Sequence, residues 1–322
     1  MKRLVYLSAL LFSFLVSFQT VKASHQMGVD LTYECINACT IRVHLRAYRD
    51  CTGSNSISNS ITFTSQTPGC GQPTAVTGWS PQATQEVTPL CPGASTRCTT
   101  PGAAINGVQE FYWWRDYNIC NVPNCIFTIS WSGCCRNPAI TSLSNAGSQS
   151  ITTNATTLNT NIVPCNSSPQ FVNPPVPYIC AGQPYTFNQG AFDPEGDSLV
   201  YSLGPCYNSG ATQVTYAPGY SLAAPLGPSW NITINSATGD IVVTPTPGNQ
   251  VVGVFCVYVQ EYRNGVLLNT IVRDIQMTVL NCPANNLPTV NAPTNITGGS
   301  ANGFTITTCV NSNLCFNLQT AD

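Results

Sequence analysis

The sequence predicts an all-β fold, and three observations support this prediction. Apolar and polar residues alternate strictly through residues 41–47, a pattern that leaves one face of a strand buried and the other wet. The chain is rich in Thr, Ile, Val, Tyr and Trp, which fit pleated surfaces, and its 24 Gly and 24 Pro suit turns. No long segment carries a 3.6-residue apolar period free of Gly or Pro, so long helices are not expected.

Further strands are predicted along the chain. Residues 126–131 and 240–244 are short runs of β-branched, aromatic and hydroxyl side chains. Residues 251–260 and 269–280 are expected to form a long antiparallel pair, because the Asn264–Gly265 dipeptide between them supplies the positive φ angles of a tight hairpin. These elements favour β-sandwiches built from antiparallel sheets.

The first residues have the features of a secretory signal peptide. Two basic residues precede an apolar run that ends at Phe18, and Val21 and Ala23 occupy positions −3 and −1 of a cleavage site. The run is shorter than the roughly 20 residues that span a bilayer, and no similar run follows. We therefore interpret residues 1–23 as a signal peptide, and we expect an extracellular or cell-surface location without a transmembrane span.

All 17 cysteines follow this segment, which in an exported protein predicts a disulfide framework. Zinc is the alternative, but common zinc sites need tight Cys-x2-Cys or Cys/His knuckles, and this chain has only two histidines. The connectivity stays open, although we expect the neighbours Cys134 and Cys135 to bond different partners because a ring between adjacent residues strains the backbone. The disulfide candidates are Cys35, Cys39, Cys51, Cys70, Cys91, Cys98, Cys120, Cys125, Cys134, Cys135, Cys165, Cys180, Cys206 and Cys256.

Charged residues are scarce, at 7% of the chain. Cleavage after Ala23 would remove three of the 11 cations and every lysine, so the eight that remain would face 13 acids with a net charge of about −5. Nucleic-acid binding needs a basic patch, and docking on anionic lipid needs clustered cations, so neither partner is expected. Surface glycans and other surface proteins are the partner classes that remain.

The sequence carries an internal repeat. Equivalent residues follow in the same order in both copies: Cys165 and Cys282, Cys180 and Cys309, Phe187-Asn188 and Phe316-Asn317, and Asp193 and Asp322. Repeats of this length are typical of tandem β-sandwich modules. The sequence therefore predicts an array of modules.

We predict three segments after the signal peptide. These are a Cys-rich β module (residues 24–165), an Ig-like or cadherin-like β-sandwich (166–282) and the start of a further repeat (283–322). The last segment would be truncated, so we expect the 322 residues to be a fragment of a longer protein. One of the three cysteines beyond residue 280 would then lack a partner.

The segment from Asp193 to Asp197 places three carboxylates on alternate residues around Gly196. Oxygen ligands at this spacing can converge on Ca²⁺, which accepts 6–8 oxygens in flexible geometry. An EF-hand is rejected, because the position-12 Glu and the flanking helices are missing. We keep two hypotheses: a structural calcium site formed by Asp193, Glu195 and Asp197, and a plain Asp/Gly-rich β-turn without metal.

The segment Phe111-Tyr112-Trp113-Trp114-Arg115 contains adjacent tryptophans. Neighbours on a strand point to opposite faces, so one of the two is expected to be exposed unless both faces are covered. An exposed tryptophan could stack on a sugar ring or a partner surface. Trp113 and Trp114 are therefore the candidate ligand-binding residues, and packing of both beneath loops is the alternative.

No residue is nominated as catalytic. The sequence lacks the GxSxG, HExxH, GxxxxGK[ST] and GxGxxG motifs. The 13 acids are too sparse to nominate a pair facing each other across a cleft, as glycoside hydrolysis requires. A cysteine nucleophile would need a free thiolate beside a base, which a disulfide framework does not offer. We do not expect an enzyme.

The second predicted module resembles Ig-like and cadherin-like repeats. The resemblance lies in residues 193–203, in the Ala-Thr-Gly turn at 237–239, and in the strand that begins at Gly253. Such repeats carry a DxDGDxLxY segment, and here Pro194 and Glu195 replace the usual residues. Calcium at this segment is what the resemblance implies, weakened by these two replacements.

The opening of the chain, and most of residues 23–322, resembles the N-terminal region of large gliding-motility-associated surface proteins of bacteroidete bacteria. The similarity lies in residues 24–28, 48–51 and 261–265. In that group, Ig-like or PKD-like repeats commonly precede a C-terminal sorting domain for type IX secretion. The resemblance implies a non-enzymatic surface protein for adhesion or structural display. A carbohydrate-binding module, or a non-catalytic N-terminal part of a secreted hydrolase, is the alternative.

Overall fold

The computed structural model describes residues 25–54, 57–80, 83–90, 93–163, 165–244, 246, 248, 250–282, 289–310 and 313–321, so the expected signal peptide (1–23) and Cys91 lie outside it. The described chain is all-β, as predicted, with one three-residue 3-10 helix at Ala146–Ser148. None of its helices is long and apolar enough to cross a membrane. The strands are β1 Gln26–Asn37, β2 Thr40–Asp50, β3 Ile61–Ser65, β4 Thr74–Ala75, β5 Ala83–Glu86, β6 Val108–Asn118, β7 Ile126–Gly133, β8 Ile151–Asn159, β9 Gln170–Phe171, β10 Tyr178–Cys180, β11 Tyr185–Asn188, β12 Ala191–Phe192, β13 Ser198–Gly204, β14 Tyr207–Ser209, β15 Thr212–Gln213, β16 Asn231–Ile234, β17 Asp240–Thr244, β18 Val251–Arg263, β19 Val266–Leu280, β20 Thr289–Val290, β21 Thr294–Thr297, β22 Gly299–Asn302, β23 Thr305–Thr308, β24 Cys315–Asn317 and β25 Thr320–Ala321.

The first hydrophobic core lies between two sheets. Strands β1, β2 and β6 pair antiparallel on one side, and β3, β7 and β8 pair on the other. The alternation predicted for residues 41–47 is confirmed in β2, where Ile41, Val43 and Leu45 are fully buried and the residues between them are half-buried. Trp131 of β7 and Tyr33 of β1 fill the same core.

The second core lies between the β13–β18–β19 sheet and the β11–β17–β16 sheet. Strands β18 and β19 form the predicted long hairpin, and Asn264 (φ 52°) and Gly265 (φ 79°) provide its left-handed turn. Phe187 and Ile241, from the second sheet, face Phe255 across this core. The predicted strand at 240–244 is confirmed as β17.

The two cores share a sheet. Strand β1 pairs antiparallel with β19 at Gly28 and Val29, so a nine-stranded sheet contains strands from both predicted modules. The chain divides instead into two compact units, Met1–Leu280 and Asn281–Asp322. The boundary predicted at Cys165 therefore lies between two hydrophobic cores that belong to one compact unit. Periodicity shows which face of a strand is buried but not which strand lies beside it, which is why the sequence suggested separate modules.

Two buried arginine–aspartate pairs flank the β1–β19 contact. Arg273 donates from Nε and Nη2 to the two oxygens of Asp30, at 2.8 and 2.9 Å. Arg136 donates from Nη1 and Nη2 to Asp274, at 2.8 and 2.7 Å. All four side chains are at most 4% exposed. Gln189 and backbone carbonyls accept from the other donors of the two guanidinium groups, so these buried charges are well satisfied.

The unit Asn281–Asp322 consists of short paired strands whose described residues are mostly exposed. The pair β20–β25, at residues 289–290 and 320–321, has the same arrangement as β9–β12 of the first unit. Phe316 is 43% exposed, whereas Phe187, its equivalent in the internal repeat, is 9% exposed. The repeat seen in the sequence thus has a structural counterpart in this strand pairing.

The predicted disulfide framework is present. Of the 14 candidate cysteines, 13 are disulfide-bonded, and Cys91 lies outside the described residues. Cys282 is bonded as well. The pairs are Cys35–Cys165, Cys39–Cys120, Cys51–Cys98, Cys70–Cys125, Cys134–Cys135 and Cys206–Cys256, and Cys180 is also bonded.

Two expectations about the cysteines are wrong. Cys134 and Cys135 bond each other across a cis peptide rather than two distant partners. The other described cysteines of Met1–Leu280 are all bonded elsewhere, which leaves these neighbours to pair. Beyond residue 280, Cys309 and Cys315 are both free, so two thiols rather than one are without a bond.

Alkylation of the native, non-reduced protein is expected to label Cys309 and Cys315, because both thiols are free and exposed. The cysteines in disulfides should react only after reduction. Peptide mass mapping checks this, and it should recover Cys134 and Cys135 in one internally bonded peptide. Recovery of either cysteine cross-linked to a distant peptide would contradict the connectivity.

Replacing Arg136 with Met is expected to lower the free energy of unfolding by about 3–5 kcal/mol, because Asp274 would be left buried without a counter-charge. Arg42→Met is the matched control: the Arg42–Asp116 pair is partly exposed, so its loss should cost about 1 kcal/mol or less. Urea unfolding of the disulfide-intact chain measures both values. Equal, small losses in the two variants would show that the buried pair does not stabilise the shared sheet.

Candidate functional site

Interleaved cationic and aromatic side chains lie on the outward face of β2 and β6. This arginine–aromatic face comprises Arg42, His44, Arg46, Tyr112 and Trp114. His44 lies opposite Trp114 in the antiparallel register, and Arg46 lies opposite Tyr112. The alternation of residues 40–46 in β2 and of residues 111–114 in β6 puts these residues on one side and the first core on the other.

Each arginine of this face lies over an aromatic ring and bonds a carboxylate. The Arg42 guanidinium carbon is 3.9 Å from the centroid of the Trp114 ring, and Arg42 donates to both oxygens of Asp116 at 2.8 and 3.1 Å. The Arg46 guanidinium carbon is 4.1 Å from the Tyr112 ring, and Arg46 also donates to a carboxylate of β6. Stacking and ion pairing together fix both guanidinium planes.

His44 lies between Arg42 and Arg46 on the same face of β2. One ring nitrogen, Nδ1, is 2.7 Å from the Tyr112 hydroxyl, and Nε2 is 3.3 Å from the Glu34 carboxylate. Burial lowers the pKa of His44 most, Glu34 raises it, and the two arginines lower it further. The net effect is a lowered pKa, so the neutral ring is favoured between the two guanidinium groups.

The structure brings one of the two predicted ligand-binding tryptophans to this face. Trp114 is half-buried there, whereas Trp113 is 4% exposed in the first core and cannot contact a ligand. Arg42 covers the Trp114 ring, so the surface is a composite of arginine and tryptophan rather than a bare aromatic platform. The arginines were not predicted, although the spacing of Arg42, His44 and Arg46 along an alternating strand places them on one face.

The acidic segment forms an Asp/Gly-rich β-turn, a geometry that both hypotheses share. Asp193 Oδ1 accepts from the backbone N–H groups of Glu195 and Asp197, at 3.0 and 2.9 Å. Gly196 has a φ of 85° and donates to the Asp193 carbonyl. The side chain of the first residue, Asp193, thus closes an Asx-type turn.

Three carboxylates converge beside this turn, but they are not the predicted three. Oxygens of Asp193, Asp197 and Glu261 all lie within 4.8 Å of one another. Glu195 instead accepts from the backbone N–H and hydroxyl of Ser167, at 3.2 and 2.8 Å. The observed cluster therefore contains Glu261 in place of Glu195, which the sequence had suggested. Glu261 was not foreseen because only the long-range pairing of β18 with β13 brings it here.

Glu261 has an unusual environment for a carboxyl group. Its side chain is fully buried, Oε1 accepts from Asn166 Nδ2 at 2.5 Å, and no donor among the described residues faces Oε2. Burial raises the pKa of Glu261 to about 8, the Asn166 bond lowers it, and Asp193 and Asp197 raise it. Asp193 Oδ2 is also buried without a donor. Arg263, at 2.6 Å, holds the pKa of Asp197 below its usual range.

Stability should fall at acid pH through His44. Its folded-state pKa lies below the ordinary value of about 6.5, so protonation costs the folded state more than the unfolded state. The free energy of unfolding should therefore decrease as the pH falls from about 6.5 towards the lowered pKa. Urea unfolding at several pH values should show a shallower decrease for His44→Gln. The decrease should be steeper for Glu34→Gln, which removes the carboxylate that favours the charged ring. Parallel pH curves for the three proteins would contradict this account.

Comparisons with known proteins leave the site unassigned. No protein-family model matches the sequence, and no curated protein matches it. Among solved structures, one titled "Anomalous substructure of Titin-A168169" aligns with 79% of this chain and 100% of its own, at 8% identity and a TM-score of 0.21. A TM-score of this size supports no inference about fold or function.

Proposed function

We propose that this chain is a non-catalytic, exported module for adhesion or structural display, and that the arginine–aromatic face contacts its partner. The proposal depends on the ordered stacking of Arg42 on Trp114 and of Arg46 on Tyr112. Arginine, tryptophan and tyrosine are the residue types most enriched among the interface residues that contribute most of the binding energy. Side chains already held in place lose little conformational entropy when a partner binds.

The structural setting suits work outside the cytoplasm. An all-β body closed by many disulfides is typical of secreted and extracellular proteins. The resemblance to gliding-motility-associated, type IX-secreted proteins favours a bacterial cell surface as the place of action. In that setting the chain would present the arginine–aromatic face to other surface molecules.

A protein partner is favoured over a glycan. Sugar rings stack on open aromatic faces, whereas Arg42 already covers Trp114. Each arginine of the face is paired with a carboxylate that compensates its charge, and arginine and aromatic side chains are enriched at protein interfaces. A carbohydrate-binding module, or the non-catalytic part of a secreted hydrolase, stays the second candidate because Trp114 keeps part of its surface exposed.

Binding of the fluorescently labelled chain to intact cells of the species that encodes it tests the proposal. We expect saturable binding that Trp114→Ala weakens by about tenfold or more, because an interface anchor of this kind contributes about 2 kcal/mol. Arg42→Ala should weaken it comparably, since Trp114 would lose the group that covers it. Phe304→Ala is the matched control, because Phe304 is a 67% exposed aromatic residue of the unit Asn281–Asp322, to which no residue of this face belongs.

Two outcomes would contradict the proposal. Undiminished binding by both face variants would show that the partner contacts another surface. Loss of binding in the Phe304 control as well would show that the effect is not specific to the face. A glycan array run in parallel separates the alternatives, since Trp114-dependent binding to a defined sugar would favour the carbohydrate-binding module.

A further inference from the structure

We propose that Asp193, Asp197 and Glu261 together bind one divalent cation, and that Ca²⁺ is the ion that suits them best. The site differs from the one suggested by the sequence, because Glu261 of β18 takes the place of Glu195. It lies beside the second core and involves no residue of the arginine–aromatic face. The inference therefore stands or falls separately from the proposed adhesive function.

The three carboxylates are close enough together to reach one ion. One oxygen from each of the three carboxylates lies within 4.8 Å of the other two. Calcium binds oxygen at about 2.4 Å, so two ligands on opposite sides of the ion are about 4.8 Å apart. The three groups can thus share one ion with small side-chain adjustments. They come from the turn at 193–197 and from β18, so the ion would join two elements of the fold.

Two carboxylate oxygens at this point have no other partner. Glu261 Oε2 and Asp193 Oδ2 are buried, and within the described part of the chain no donor reaches either of them. Leaving buried acceptors of this kind unpaired is unfavourable, and the cost is larger for a charged group. A cation between them would satisfy both oxygens at once. The fully buried Glu261 side chain is directed into the cluster by its Asn166 bond on the other oxygen.

The charge of the cluster also fits a divalent ion. With all three carboxylates ionised, as they would be around a cation, the cluster and the guanidinium of Arg263 have a net charge of −2. Arg263 donates from Nε and Nη2 to the two oxygens of Asp197, and so neutralises only one of the three acids. A divalent cation would neutralise the other two.

The ligand chemistry selects a hard ion. All three donors are carboxylate oxygens, which suit Ca²⁺ and Mg²⁺ and not the nitrogen- and sulfur-preferring transition metals. Mg²⁺ requires near-ideal octahedral geometry at about 2.1 Å and gives up water reluctantly. Ca²⁺ tolerates the irregular, partly buried arrangement offered by one turn and one strand. Affinity in the range of about 10⁻⁴–10⁻³ M is typical of extracellular calcium modules.

The ion would act on the connection between the two cores. Asn166 bonds Glu261 and also accepts from Arg263 at 2.7 Å, and Ser167 bonds Glu195 of the acidic turn. The next residue, Ser168, donates to the backbone carbonyl of Tyr33 on β1. A cation that fixes Glu261 and the turn would therefore also hold the segment at 166–168 against the first core.

A proton is the competing occupant, because a protonated Glu261 could donate to Asp197 instead. Calcium titration of the EDTA-treated full chain distinguishes the two. Isothermal calorimetry at about 5 mM Ca²⁺ should show one binding event, and the Tm should rise by about 3 °C or more. The same concentration of Mg²⁺ should have a smaller effect. A Tm that calcium leaves unchanged between pH 6 and about 9 would overturn the proposal and assign the site to a proton.

Three variants locate the ion. Glu261→Gln keeps the shape of the side chain but removes one charge, and calcium affinity should fall by at least about tenfold. Near-ultraviolet circular dichroism shows whether Glu261→Gln is folded. If it is not, Asp193→Asn tests the same site, and its calcium affinity should also fall. Glu195→Gln is the matched control from the same turn, and its affinity should stay within about twofold of the wild type. Equal loss in Glu195→Gln, or full retention in Glu261→Gln and Asp193→Asn, would overturn the assignment.

Discussion

Pairing of β1 with β19 is the contact on which the rest of the larger unit depends. Strand β1 lies between β2 of the first core and β19 of the second, so it belongs to both halves at once. The strands approach closely at Gly28, where an added Cβ would lie 2.9 Å from the Asp274 carbonyl oxygen and 3.0 Å from Pro175. A larger side chain at this position would push the two halves apart.

The buried charges explain why this pairing has one register. Arg273 and Asp274 are neighbours on β19, so their side chains point to opposite faces of the sheet. Arg273 bonds Asp30 on one side, and Asp274 bonds Arg136 on the other. A slip of one residue would exchange the two faces and leave all four charges buried without partners. Apolar side chains at these positions would tolerate such a slip more easily, so the ion pairs contribute specificity as well as stability.

Local sequence patterns predicted the strands and turns, whereas the order of the strands and the composition of the acidic cluster depend on long-range contacts. The alternation in β2 and the Asn264–Gly265 hairpin follow from neighbours in the sequence, and both are present. The disulfide framework, also present, follows from the number of cysteines behind an expected signal peptide. The opposite directions of Trp113 and Trp114 follow from strand geometry in the same way. By contrast, the shared sheet and the arrival of Glu261 at the acidic turn depend on which strands pair. Periodicity carries no information about strand order, so neither could be derived from one sequence.

The two candidate sites differ in how well their polar groups are satisfied. On the arginine–aromatic face, each charged group already has a partner within the chain, so a protein could bind and leave without exposing an unpaired charge. Such a surface suits reversible contact. Around Glu261, by contrast, buried carboxylate oxygens lack donors, and the fold is least favourable when nothing occupies the space between them. An occupant there would stay bound whenever the ion is abundant outside the cell. The face therefore has the features expected of the recognition surface proposed above, whereas the acidic cluster has those of a site for a structural ligand that would hold the two cores in one arrangement.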